Sequence, residues 1–113
     1  MRLLHATQAD NTSILLELGC GEGTFLRCAA QKFKCRCVGI EIRPYLVDKA
    51  EKLVDKADLA PLISIINSDM RSELSARFLR TASVVVMYLS VEMLLAMIPF
   101  FEKHLSIGTS SAR

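Results

Sequence analysis

Glu17-Leu18-Gly19-Cys20-Gly21-Glu22-Gly23 places three glycines at alternate positions directly behind a short apolar run. Glycine tolerates the positive φ of a tight turn and leaves the backbone bare for a ligand to approach. A helix opening behind such a loop aims its first N–H groups at the same place, where they receive a carboxylate or phosphate. Two carboxylates follow at comparable junctions. Glu41 closes a second apolar run, 22 positions after Gly19, and suits the pair of hydroxyls on a ribose. Asp69 closes a third run, where it can accept from an exocyclic adenine amine. Asp69 by itself equally suits a turn or a helix cap. It is the succession of glycine loop, acid and acid that describes a ligand site.

Those three junctions converge only if the chain alternates strands and helices, and the pattern supports this. Ile14 to Leu18 is apolar except for Glu17 and reads as a strand buried on both faces. Thr24 to Lys32 follows with good helix formers. Cys35 to Ile42 is the second strand. Pro44 stands at a helix start, where its missing N–H does no harm. Leu46, Ala50, Leu53, Val54 and Ala57 then recur at helical spacing. Leu62 to Ile66 is a third strand and residues 71 to 79 a helix. Ala82 to Leu89 is the most strand-like stretch, and a helix capped by Ser90 runs to about Leu105, with Pro99 expected to kink or divide it. Residues 1 to 12 read as mixed and irregular. The order predicts an α/β fold, a Rossmann-like parallel sheet with helices on both faces. Ligands bind such sheets at the carboxyl ends of the strands, where the glycine loop, Glu41 and Asp69 all fall.

The totals set bounds. A chain of 113 residues is expected to be one domain, 1–113. Its 51% hydrophobic content can build a core, and a net charge of +2 leaves no electrostatic footprint for nucleic acid. Aromatics at 6% without Trp argue against a base-stacking platform. No apolar run approaches the roughly 18 residues of a membrane span, and no signal peptide is indicated, so an intracellular, cytoplasmic location is expected. Cys20, Cys28, Cys35 and Cys37 form no C-x-x-C pair and are expected to be reduced, with no metal site.

The run Glu17-x-Gly19-x-Gly21-x-Gly23 resembles the first motif of class I S-adenosylmethionine-dependent methyltransferases. Val38-Gly39-Ile40-Glu41 is similar to their acidic strand end, and Ser68-Asp69-Met70 to their third-strand acid. The resemblance covers about residues 13 to 109. It implies S-adenosylmethionine as cofactor, with the Gly19–Gly23 loop, Cys20 included, against the methionine portion. It implies Glu41 on the ribose, Ile42 against the adenine face, Asp69 on the adenine amine and the Met70 N–H on a ring nitrogen. Glu17 would orient the loop and favour the cationic end. The competing ligand is a dinucleotide, whose fingerprint G-x-G-x-x-G/A needs a small residue where Thr24 or Leu26 stands. The acids Glu17 and Asp69 also give the site a negative charge unsuited to a pyrophosphate.

In the same resemblance the end of the fourth strand faces the transferred methyl. It reads Met87-Tyr88-Leu89-Ser90, unlike the Asn/Asp-Pro-Pro-Tyr of enzymes that methylate planar nitrogens. Its form is similar to a group that includes protein-lysine methyltransferases, so a protein lysine is the first expectation for the acceptor and Tyr88 the candidate to touch it. The family carries a seven-stranded sheet, whereas four strands in the order 3-2-1-4 are legible here, with at most the start of a fifth after Gly108. The expectation is a truncated domain whose Val84–Tyr88 edge is bare and open to a partner or a second copy. A non-catalytic interaction module and a truncated isoform are the alternative functions.

Overall fold

In the strand Ile14–Leu18, Leu15 points to one face of the sheet and Leu16 and Leu18 to the other. That period of two, repeated by Cys37 against Val38 and Ile40 and by Val84 against Val85, divides the interior into two apolar layers. A computed structural model describes residues 2–6, 12–88 and 91–104. Their elements are β1 (Arg2–Ala6), β2 (Ile14–Leu18), α1 (Thr24–Phe33), β3 (Arg36–Glu41) and α2 (Pro44–Lys56). They continue with β4 (Ile63–Asn67), α3 (Glu73–Thr81), β5 (Val84–Tyr88) and α4 (Val91–His104). Leu26, Ala29, Ala30 and Val54 bring α1 and α2 onto the Leu15 face. Leu79, Met97 and Phe101 bring α3 and α4 onto the Leu16 face.

The five strands lie in the order β1-β5-β2-β3-β4, and β5, β2, β3 and β4 are parallel. Numbered among themselves, those four give the expected 3-2-1-4 arrangement, with helices on both faces. Strand order therefore reverses beside β2, between β3 and β5, which places the switch point over the glycine loop.

One expectation fails. The Val84–Tyr88 edge is not bare, because Arg2–Ala6 pairs with it antiparallel, from Arg2 opposite Tyr88 to Ala6 opposite Val84. The pairing or self-association expected through that edge thus has no free ladder to use among the described residues. The segment Arg-Leu-Leu-His-Ala has no clean alternation, so its strand is imposed by the open hydrogen-bonding edge of β5 rather than by its own pattern.

α4 also runs as one helix through Pro99 and is not divided there. Pro99 and Leu95 are exposed, so the Leu95 carbonyl that loses its helical donor lies on the solvated side. Ser90 and Gly108, read as the cap and stop of this helix, lie outside the described residues.

Gly39 shows why this sheet packs as closely as it does. A Cβ there would stand 2.6 Å from both Cys20 Sγ and Leu26 Cδ1, so α1 and its leading loop rest directly on the β3 backbone. Cys35 and Cys37 are buried free thiols with sulfurs 4.0 Å apart, far beyond a disulfide bond length. Cys20 is likewise buried and free, and Cys28 is free and exposed on α1.

Candidate functional site

The glycine loop hangs from β3. The N–H groups of Gly19 and Cys20 both donate to the carbonyl of Ile40, at 2.8 and 3.1 Å. Two donors on one oxygen require a sharp reversal, and Gly19, Gly21 and Gly23 all take positive φ, at 75°, 58° and 81°. Gly23 then starts α1 as its N-cap with no side chain to bond the first N–H groups. At α3, by contrast, Ser72 does that work by accepting from the Ser75 N–H at 3.0 Å. The opening turn of α1 thus receives no cap from the side chain of its own N-cap residue.

Glu41 ends β3 beneath this loop. It is only 2% exposed, yet its carboxylate is fully engaged. Oε1 accepts from the Gly21 N–H at 2.8 Å, and Oε2 accepts from the Arg43 N–H at 3.1 Å. The Arg43 guanidinium adds Nε to Oε2 at 2.9 Å and Nη2 to Oε1 at 3.4 Å. Burial pushes the carboxyl pKa up, but the Arg43 side chain, with the Arg43 and Gly21 N–H groups, outweighs it and holds the group below its ordinary value. Asn67, level with Glu41 on β4, fixes the chain just after the acid by donating to the carbonyls of Glu41 and Ile42, each at 3.0 Å.

Asp69 follows β4 in an Asx turn. Its Oδ1 accepts the Arg71 N–H at 2.7 Å and Arg71 Nε at 3.4 Å. Those two bonds lower its pKa, against a smaller effect of burial. An open cleft of about 230 Å³ collects Gly19, Glu41, Ile42, Asp69 and Met70, with Arg43 and Arg71. Ile42 is 59% exposed, an apolar surface set between two carboxylates. Met70 lies beside the loop, and a Cβ on Gly19 would meet its Cε at 3.4 Å.

The remaining expected residues take other places. Gly21 is joined to the cleft through Glu41, and the space a Cβ would enter there is open. Gly23 packs near Ala50 of α2, and Cys20 is buried under the loop. Glu17, 7% exposed, lies within the sheet. Burial, then the charges of Glu17 and Glu41, push the Cys20 thiol up to about 12, so it stays protonated and unreactive. Tyr88 ends β5 opposite Arg2, and its side chain lies outside the described residues. Arg43, Arg71 and Asn67 belong to the site although the glycine and acid motifs do not point to them. The signal that could have found the arginines is a repeat, Glu41-x-Arg43 at one strand end and Asp69-x-Arg71 at the next.

The family model described as a methyltransferase domain matches residues 15–105. The chain belongs to that family, the class I S-adenosylmethionine-dependent methyltransferases. It is 28% identical over 110 residues to a protein-lysine N-methyltransferase of Saccharolobus islandicus (strain REY15A), covering 96% of this chain and 65% of that one. Among solved structures, an RNA methyltransferase from Salinibacter ruber in complex with S-adenosyl-L-homocysteine superposes with a TM-score of 0.82. Identity there is 35%, over 89% of this chain and 63% of the other. A geranyl diphosphate C-methyltransferase from Streptomyces coelicolor A3(2), 20% identical with a TM-score of 0.56, shares the fold over 60% of this chain and 26% of its own. The chain thus spans somewhat less than two thirds of the first two proteins. No helix among the described residues is long and apolar enough to cross a membrane.

Proposed function

We propose that residues 1–113 form a single S-adenosylmethionine-binding unit of a methyltransferase whose acceptor is a protein lysine amine. The observation that carries the cofactor reading is the shared cleft. One wall ends in a buried carboxylate, the next in a half-exposed one, and an exposed isoleucine lies between them, all facing a left-handed glycine loop. In this reading Glu41 accepts the ribose hydroxyls, Ile42 lies against the adenine face, and Asp69 with the Met70 N–H reads the adenine edge. Gly19 to Gly23 leave room for the methionine portion, whose carboxylate suits the uncapped start of α1. Glu17 and Glu41 supply negative charge on the side of the cationic sulfur.

S-adenosylmethionine supplies the activated methyl; the chain's task is to hold it, exclude water and align the acceptor for in-line displacement. Tyr88, at the carboxyl end of β5, is the residue proposed to meet the acceptor. A lysine acceptor is supported by the Saccharolobus relative and by the Met87-Tyr88-Leu89-Ser90 sequence. An RNA acceptor is the second reading, favoured by the Salinibacter neighbour.

Calorimetric titration with S-adenosylmethionine tests the core of this. Binding by the wild type is expected, and Glu41→Ala should weaken it by about 1–3 kcal/mol, the cost of leaving ribose hydroxyls poorly paired. Undiminished binding by that variant refutes the role of Glu41. Transfer of a labelled methyl to lysine peptides, but not to RNA, selects the first acceptor. Binding without transfer to either identifies a cofactor-holding module.

A further inference from the structure

Glu41 has room for about four hydrogen bonds, two on each oxygen, and all four places are taken. Two donors are backbone N–H groups, of Gly21 and Arg43, fixed by the loop and by the start of α2. The other two belong to the Arg43 guanidinium, on a side chain that is 54% exposed. A ribose diol also brings two donors. We propose that the Arg43 guanidinium is a displaceable latch on Glu41, occupying the two acceptor positions that the ribose hydroxyls of the cofactor take over on binding. This rests on the cofactor reading above and adds to it a residue that sets affinity.

The arrangement is chemically consistent in both states. Without a ligand, a carboxylate only 2% exposed and short of partners would be costly to keep ionised, and Arg43 supplies the counter-charge. With a diol in place, the two backbone donors remain, so the carboxylate never loses its aim. The departing guanidinium reaches solvent easily because more than half its side chain is already there. Withdrawing a cation also leaves Glu41 free to favour a cationic ligand. The same construction recurs at the next strand end. There one oxygen of Asp69 accepts both the N–H and Nε of Arg71, as one oxygen of Glu41 does from Arg43, and both arginines line the cleft. Recurrence at successive strand ends marks the clasp as a feature of the cleft rather than an accident of one side chain.

The test compares wild type with Arg43→Met, which keeps an unbranched stem and removes the competing donors. S-adenosylmethionine is expected to bind the variant about two- to fivefold more tightly, the scale of a half-exposed ion pair. For adenosine the gain should persist, and for 2′,3′-dideoxyadenosine it should vanish. In wild-type protein, the Arg43 Nε–Hε resonance should move to a solvent-exposed position on saturation with S-adenosylmethionine. Equal or weaker binding by Arg43→Met, or an Arg43 resonance that saturation leaves in place, overturns the latch while leaving the cofactor reading intact. Failure of both proteins to bind S-adenosylmethionine removes the cofactor reading and the latch together. Thermal melting of the two proteins checks that the comparison is made between folded chains.

Discussion

Single atoms decide much of this site. Gly39 has no catalytic chemistry of its own, yet one added methyl would collide with Cys20 and Leu26 at 2.6 Å. Gly39→Ala is therefore expected to destabilise the protein by about 1–3 kcal/mol, the usual cost of overpacking a core. Urea unfolding would measure it, and a neutral result would mean that α1 can lift from β3 without penalty. Cys20 sits in the loop, so the same substitution should also weaken S-adenosylmethionine binding. At this scale the sequence was legible where a residue type is forced by backbone geometry. Gly19, Gly21 and Gly23 announce a left-handed turn, and Glu41 and Asp69 end apolar runs. Arg43 and Arg71 were not legible, because a surface arginine two residues past an acid looks like any solvated cation. Only the folded turn shows each reaching back to its carboxylate.

Among the elements, the four parallel strands and their helices follow from periodicity, since β2, β3 and β5 are buried on both faces, the edge strand β4 partly so, and the boundaries carry glycine, proline or a cap. β1 does not follow. Its five residues have no alternation, and the pairing that makes them a strand comes from β5, more than 75 positions away by the register of Arg2 with Tyr88. Long-range pairing of that kind leaves no local trace. Its consequence is testable: deleting Arg2–Ala6 should uncover β5 and promote concentration-dependent association, visible by sedimentation velocity. A variant that stays monomeric at every concentration where the intact chain does would show that β1 protects nothing.

Across the whole molecule, stability should be limited on both sides of neutrality. Glu41 has a folded pKa below its ordinary 4.5, so the unfolded chain binds its proton first as pH falls. Its contribution is present above that ordinary value and fades as pH drops through the lower folded one. Glu41→Gln should accordingly narrow its stability difference from wild type as the solution is acidified. On the alkaline side, burial raises the Cys20 and Cys37 thiols from 9.0 to about 12. Above 9.0 the unfolded thiols ionise while the folded ones do not, so stability should fall with rising pH by at most about 1.4 kcal/mol per unit for each. Denaturant titrations from pH 3 to pH 11 would trace both limbs, and a flat alkaline limb would contradict the burial of these thiols.

The sulfurs of Cys35 and Cys37, enclosed side by side at the start of β3, equip the chain with an internal reporter of its own breathing. A trivalent arsenical bridges neighbouring thiols, but it can reach this pair only after the sheet parts beside α1. The rate of capture then clocks that opening without any engineered label. Comparing the clock with and without S-adenosylmethionine would reveal whether occupying one end of the strands quiets the other.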